Sequence, residues 1–282
     1  GIGDNRYNEK RRIVKEKKMG PLIRTIMTRC IHCTRCVRFA DEVAGVPSLG
    51  AIGRGENTQI TTYQEQAFQS EMSGNVVDLC PVGALTSKPY TFKARPWELK
   101  NTETIDVHDA LGSNIRVDSR GRAIMRALPR VNEDVNEEWI SDKTRHAVDG
   151  LGKNRLDRPY VKKNGKLQEV SWSEAFNLIS KKIAGLNGNQ IAGLVGDLCD
   201  AESMYAFKQM MNSLGAKIEC RQDGSKIETE YRSGYLFNSG VAGIDDADAV
   251  LLVGSNPRHE SPVLNARLRQ RWLTRECKFA NI

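Results

Sequence analysis

The chain has 282 residues, of which 39% are hydrophobic and 27% charged, which is enough for two ordinary globular domains or one domain with a smaller appendage. Its longest apolar run, residues 249–253, is far shorter than the roughly 18–20 residues of a membrane helix, so we expect a soluble or peripheral protein without a membrane span. The net charge of +7 comes mostly from residues 1–100, and we interpret this bias as a solvated face or a contact with an acidic partner rather than a nucleic-acid or lipid patch.

Residues 1–89 are predicted to form a domain of short helices and glycine-rich turns, with helical stretches at 25–27, 37–43 and 63–71. This region contains four grouped cysteines. Cys30, Cys33 and Cys36 are separated by two residues each, and Cys80 directly precedes a proline. An odd number of cysteines and the lack of a recognisable signal peptide argue against a secreted disulfide framework.

Three closely spaced cysteines and a remote Cys-Pro form the pattern that ligates a cubane iron–sulfur cluster. The alternative is a structural zinc site on the same four thiolates, although zinc sites more often use two Cys-x-x-Cys pairs. His32 lies between the first two cysteines, and we expect it not to ligate. We interpret Arg29, Arg35 and Arg38, all near the ligands, either as cations that raise the potential of the cluster or as partners of carboxylates. On the first interpretation, Arg35→Glu lowers the midpoint potential.

Residues 90–159 are predicted to form a small sheet, because brief runs at 103–109, 114–118 and 123–127 are broken by turn residues. Three tryptophans are expected to anchor the packing of this layer and its seams: Trp97, Trp139 and Trp172.

Residues 160–282 alternate between strands and helices. Strands are predicted at 191–195, 217–220 and 249–253, and helices at 200–214 and 263–272. Short apolar strands in this alternation are typical of a parallel, doubly wound layer. Another strand is predicted to begin at 279–282, so we expect the layer to be truncated or completed by another polypeptide. The fold class predicted for the whole chain is therefore α+β followed by α/β.

The remaining reactive residues show no ligand spacing. We expect Cys199, Cys220 and Cys277 to be buried thiols, and His108, His146 and His259 to be structural. The glycines at 193–196 and 254–257 form neither a dinucleotide fingerprint nor a P-loop.

Several motifs together closely resemble the large, 75 kDa-type iron–sulfur subunit of NADH:ubiquinone oxidoreductase, respiratory complex I. The longest are Arg-Cys-Ile-His-Cys-Thr-Arg-Cys-Val-Arg-Phe at 29–39 and Ser-Gly-Asn-Val-Val-Asp-Leu-Cys-Pro-Val-Gly-Ala-Leu at 73–85. The similarity continues at 94–97, 136–145 and 253–257.

The resemblance implies a function and a set of ligands. In that family the matching cysteines hold one [4Fe–4S] cluster between flavin and quinone, so the ligands would be Cys30, Cys33, Cys36 and Cys80. The chain would carry electrons as a subunit of the enzyme, without catalytic residues of its own. Residues 160–282 would begin a domain similar to molybdopterin oxidoreductases that has lost its cofactor.

The resemblance also implies partners and a location. The family carries upstream cluster sites that this sequence lacks, so we expect a split subunit or a longer chain. The expected partners are other subunits of the peripheral arm, including the flavin-bearing one and a polypeptide that supplies the upstream clusters. The arm would lie on the matrix side of the mitochondrial inner membrane, or on the cytoplasmic side of a bacterial membrane.

Two other functions remain as alternatives. One is a zinc-stabilised scaffold or nucleic-acid-binding module, whose affinity for nucleic acid would fall steeply with salt. The other is a fragment of a molybdopterin-dependent oxidoreductase that binds its own pterin. Metal analysis for iron, zinc and molybdenum distinguishes the three.

Overall fold

A computed structural model describes residues 12–196, 198–219 and 230–282. These residues form two compact units, one from 12–152 with 237–282 and the other from the described part of 153–236. The strands are β1 (Ile23–Thr25), β2 (Leu49–Ile52), β3 (Gln59–Thr62), β4 (Leu85–Ser87), β5 (Lys100–Ile105), β6 (Asn114–Arg120), β7 (Ala123–Pro129), β8 (Tyr160–Lys163), β9 (Lys166–Glu169), β10 (Ala192–Leu194), β11 (Lys217–Glu219), β12 (Ala249–Leu252) and β13 (Lys278–Asn281). The α-helices are α1 (Arg35–Arg38), α2 (Asn75–Leu79), α3 (Asp142–His146), α4 (Trp172–Ile183), α5 (Ala201–Ser213), α6 (Pro257–Glu260) and α7 (Pro262–Leu273).

The cysteine-bearing region contains two antiparallel strand pairs, β1 with β4 and β2 with β3. The helix predicted at 37–43 is confirmed, because α1 continues into a π-helical turn, Phe39–Val43. The helix predicted at 25–27 is wrong, since this stretch contains the end of β1, whose pairing with β4 overrides local propensity. The helix predicted at 63–71 is also wrong. Only a single turn forms, Tyr63–Glu65, and Gln64 within it has a left-handed φ of 48°, which ends the helical geometry.

The predicted small sheet is confirmed as the antiparallel order β5-β6-β7. A register shift follows Asp118, whose buried carboxylate accepts hydrogen bonds from the Nε atoms of Arg116 (2.9 Å) and Arg126 (2.7 Å). The prediction that three tryptophans anchor packing holds for Trp139, which stacks at a tilt on Phe39 with 5.0 Å between ring centroids.

For the other two tryptophans the packing prediction is wrong. Trp97 lies in a surface turn and is 80% exposed, while Trp172 begins α4 and is 65% exposed. Among the described residues, Trp172 stacks on Phe176, one helical turn further along α4. Their size favours burial, but in this structure the local chain presents both rings at the surface.

Parallel pairing is confirmed in the last third of the chain. Strands β10 and β11 pair in parallel with α5 between them in sequence, and β12 and β13 pair in parallel with α6 and α7 between them. Among the described residues these are two separate two-stranded sheets instead of one layer. The sequence pattern predicts strands and their direction, whereas their neighbours depend on long-range packing.

A hydrophobic core cluster surrounds the cysteine-bearing segments. It includes Met27, Phe39, Val76 and Leu85, and the half-buried Cys30, Cys36 and Cys80 pack against it. Two residues of α7, Val263 and Ala266, belong to the same core. In the part of the chain that the structure describes, no helix has the length and apolarity to cross a membrane.

Candidate metal centre

Pairing of β1 with β4 brings the two cysteine-bearing segments together. Thr25 lies opposite Leu85, and the next backbone N–H, of Ile26, donates to the carbonyl of Ala84 at 2.8 Å. The chain after β1 carries three of the grouped cysteines, and the chain before β4 carries Cys80. Segments about fifty residues apart therefore meet at one end of this strand pair.

The first segment curls into a tight loop. Cys30 follows a single 3-10 turn, Met27–Arg29, and two residues of the loop have left-handed backbone, His32 with φ 55° and Thr34 with φ 59°. Non-glycine residues adopt this conformation only when their surroundings compensate for its cost. The backbone N–H of His32 donates to Cys30 Sγ at 3.4 Å, so the loop wraps around that sulfur before α1 begins.

Cys80 lies immediately after α2. Its N–H still donates to the carbonyl of Val76 at 3.1 Å, but its own backbone is extended, with φ −75° and ψ 110°. The proline that follows disfavours a helical conformation at this residue and so helps to end the helix here. A short helix thus carries the fourth cysteine at its end.

All four cysteines line one small pocket. Its other walls are mainly apolar, from Met27, Ile31, Ile60, Pro81, Val82, Ala84 and Leu85. The cysteines are half-buried and form no disulfide with one another. Burial, together with the smaller effect of the nearby Cys30, Cys33 and Cys80, raises the pKa of Cys36 from 9.0 to about 11. Forming the Cys36 thiolate here is unfavourable unless a cation compensates for its charge.

The thiol arrangement fits a cluster by its donor chemistry. Soft thiolates select iron–sulfur clusters or zinc, and in a cubane each thiolate ligates a different iron around a central space. Within the described ranges, no group of three or more His, Cys, Asp and Glu side chains is arranged to hold a single metal ion. The four cysteines line one pocket, so their sulfurs could ligate one shared group.

The neighbouring His32 and arginines lie around this pocket in different ways. His32 is not among the residues that line it. Arg35 does line the pocket, but like Arg29 and Arg38 it is exposed, and no carboxylate of the described residues forms an ion pair with these three arginines. Water and salt therefore screen their charges.

A carboxylate from α3 holds the start of the α2 segment. Asp142 accepts the backbone N–H of Ser73 (3.0 Å), the Ser73 hydroxyl (2.6 Å) and the backbone N–H of Gly74 (2.6 Å). Ser141 begins α3 by accepting the N–H of Thr144 at 3.0 Å, which aims Asp142 at its targets. Sequence reasoning missed this contact, because nothing local links residues nearly seventy positions apart.

A buried arginine of α3 also contacts α2. Arg145 Nη2 donates to Asp78 Oδ2 at 2.6 Å and to Asn75 Oδ1 at 3.2 Å. The Asn75 amide is itself buried and bonds the backbone of Ile140 in both directions. These polar groups connect the sheet region to the helix that carries Cys80. One local signal in the sequence predicts the start of the helix that carries Asp142 and Arg145: the capping serine of Ser141-Asp-Lys-Thr144.

The remaining cysteines and histidines lie elsewhere. Cys277 is buried as predicted, but Cys199 is exposed, because it lies in a turn before α5, so that prediction is wrong. Cys220 lies outside the described residues. Burial lowers the pKa of His146, and exposed His259 lies 3.3 Å from a carboxylate oxygen of Glu71.

Three family models match this chain. The model "NADH-quinone oxidoreductase subunit 3, ferredoxin-like domain" covers residues 20–86, which include all four grouped cysteines. The model "NADH-ubiquinone oxidoreductase NDSU1/NuoG-like, 4Fe-4S domain" covers residues 99–149, a stretch without cysteine. The model "Molybdopterin oxidoreductase" covers residues 155–282.

Curated relatives match the chain along nearly its whole length. An NADH-quinone oxidoreductase subunit of Rickettsia conorii is 53% identical over all of this chain and 42% of the relative. The NADH-ubiquinone oxidoreductase 75 kDa subunit of Reclinomonas americana is 53% identical over 97% of this chain and 42% of its own length. The mitochondrial 78 kDa subunit of Neurospora crassa is 54% identical over 95% of this chain and 37% of its own length. The chain thus spans about two fifths of the relatives it matches.

Proposed function

Because the chain belongs to the family of large iron–sulfur subunits of NADH:quinone oxidoreductases, we propose that it relays electrons in respiratory complex I. We propose further that it binds one [4Fe–4S] cluster through Cys30, Cys33, Cys36 and Cys80. The observation that carries this assignment is that these four thiols line one pocket. A bound cluster of this kind supplies a one-electron carrier whose potential depends on charge, hydrogen bonds to sulfur and burial.

The residues of the chain have three tasks in this function. The cysteines hold the group at the end of the β1–β4 pair. Apolar neighbours such as Ile60 and Leu85 limit the access of water and so lower the local dielectric. The His32 N–H, which donates to Cys30 Sγ, favours the more negative state of that sulfur. None of these tasks requires an acid–base pair.

We propose that the chain lies in the peripheral arm of the complex, with other subunits as partners. The flavin-bearing subunit would deliver electrons, and the quinone side would receive them. The arm would lie on the matrix side of the mitochondrial inner membrane or on the cytoplasmic side of a bacterial membrane. The absence of cysteine from residues 99–149 supports a count of one cluster in the described sequence.

The test is electron paramagnetic resonance (EPR) of the reduced native assembly with Cys80→Ser in this chain. We expect one cubane-type signal to disappear. Cys199→Ser is the matched control, because Cys199 is exposed and is not part of the Cys-x-x-Cys-x-x-Cys and Cys-Pro motifs. We expect this variant to leave every signal unchanged.

Persistence of all signals in Cys80→Ser would contradict the proposal. Metal analysis of this chain, separated from the other subunits of the same samples, then identifies the alternative. Zinc without iron would indicate a structural site, for which salt-dependent binding of nucleic acid is the next measurement. Molybdenum would indicate a pterin enzyme instead.

A further inference from the structure

We infer that the ion pair between Asp78 and Arg145 sets the electrostatic field at the cluster and holds Cys80 in position. The inference rests on the proposed function, since the field matters only if the four thiols hold a redox centre. Both residues would be positioning residues, acting on the cluster without ligating it.

Arg145 restrains the rotation of α2. Asp78 lies two residues before Cys80, in the last turn of α2, and Asn75 is the first residue of that helix. One guanidinium nitrogen, Arg145 Nη2, bonds both of them, at 2.6 Å and 3.2 Å. A single buried side chain therefore joins the two ends of α2 and opposes rotation of the helix about its axis. The position of Cys80 depends on that rotation, because it follows the helix directly.

Arg145 also packs closely against the backbone of the α2 segment. A Cβ atom added to Gly74 would lie 2.7 Å from both Cδ and Nε of Arg145, and 2.9 Å from Asp142 Oδ1. The arginine therefore lies directly against the backbone of the α2 segment, an approach that only glycine allows. Its Nε has no hydrogen-bond partner among the described residues. Asp78 is thus the one carboxylate that pairs with this cation there.

The charges of Arg145 and Asp78 are partly shielded from solvent. The Arg145 side chain is 5% exposed and that of Asp78 is 33% exposed. Both line a cavity of about 530 Å³ that also reaches Cys80. The other charged or titratable groups of this cavity are Tyr90, Lys93, Arg126, His146 and Asp149, and Arg126 is paired with Asp118. Buried charges are screened much less than the exposed arginines that precede and follow the cysteine loop.

Reduction makes a cluster more negative, so a nearby cation favours the reduced form and a nearby anion opposes it. Removing Arg145 would leave the Asp78 carboxylate without a partner and lower the midpoint potential. Removing the Asp78 charge would leave the guanidinium without a partner and raise the potential. The pair therefore predicts shifts of opposite sign, which loosened packing alone would not produce.

The experiment is an EPR redox titration of the native assembly with variants of this chain. We expect Asp78→Asn to shift the midpoint to higher potential and Arg145→Gln to shift it to lower potential. We expect the double variant to return close to the wild-type value, and Arg145→Lys, which keeps the charge, to stay close to it. Arg120→Gln is the matched control, because Arg120 forms an exposed ion pair with Glu98, and it should leave the midpoint unchanged.

Shifts of the same sign, or no shift in either single variant, would overturn the inference. If Arg145→Gln loses the cluster, the other two variants test the inference. A higher midpoint potential in Asp78→Asn together with a wild-type midpoint in Arg145→Lys supports the inference. Any other pair of results overturns it. Failure of the proposed function is distinguishable, because it appears as signals that persist in Cys80→Ser. Loss of the signal in Cys80→Ser with unshifted midpoints in the charge variants overturns this inference alone.

Discussion

Replacing Asp142 by alanine should destabilise the cysteine-bearing unit by about 3 kcal/mol. The carboxylate accepts the backbone N–H groups of Ser73 and Gly74, and both of these residues are buried. Each hydrogen bond from a buried donor to a charged acceptor contributes about 1.5 kcal/mol, and alanine leaves both donors without a partner. The Ser73 hydroxyl can rotate toward another acceptor, so we assign no further loss to it. Asp142→Asn keeps one acceptor oxygen and should cost about half as much.

The assay is urea unfolding of the 282-residue chain, followed by circular dichroism. With a denaturant slope of about 2 kcal/mol per molar, Asp142→Ala should lower the urea midpoint by roughly 1.5 M. The control is Asp157→Ala, which removes an exposed ion pair with Arg158 and should change the midpoint by less than about 0.5 M. Equal midpoints for the Asp142 and Asp157 variants would refute the view that α3 holds the α2 segment in place.

Burial also underlies three further predictions. Phe39→Ala should cost about 3–5 kcal/mol in the same unfolding assay, because the ring is 3% exposed and stacks on Trp139; a cost below about 1 kcal/mol would show that the pair is not part of the core. Burial lowers the pKa of His146 below 6.5, so the unfolded chain binds more protons than the folded chain in this pH range. The free energy of unfolding should therefore be highest above about pH 6.5 and should decline as the pH falls through the folded pKa. His146→Asn should flatten that decline, and an unchanged pH profile would contradict it. In the native assembly, iodoacetamide should modify exposed Cys199 quickly and leave the proposed ligand Cys36 unmodified, as measured by mass spectrometry of peptides; equal labelling would count against ligation of Cys36.

Local features of this chain were predictable from the sequence, and distant contacts were not. The spacing of Cys30, Cys33 and Cys36 predicts a thiol-bearing loop, and the short helical stretch predicted at 37–43 is found as the helix that continues to Val43. The β1–β4 pairing and the bonds of Asp142 join residues sixty or more positions apart, and a single sequence does not show which such residues pair. The helix predicted at 63–71 failed for a different reason: Gln64 has a left-handed backbone, a conformation that is uncommon for non-glycine residues and that the residue type does not predict.

The segment similar to molybdopterin oxidoreductases contributes to the cysteine-bearing unit itself. Val263 and Ala266 of α7 belong to the same core as Phe39, three residues after Cys36. Arg269 of α7 donates to the carbonyl of Asp41 at 3.0 Å, and its side chain lies where a Cβ of Gly45 would be, within 2.8–3.1 Å. Gly45 has φ 67°, so glycine serves both the turn after the helix and the approach of this arginine. Because α7 packs against the helix that follows the cysteine loop, residues more than two hundred positions later help to stabilise the conformation of that loop. Contacts from α3 and α7 therefore support the cysteine-bearing unit in addition to the pairing of β1 with β4.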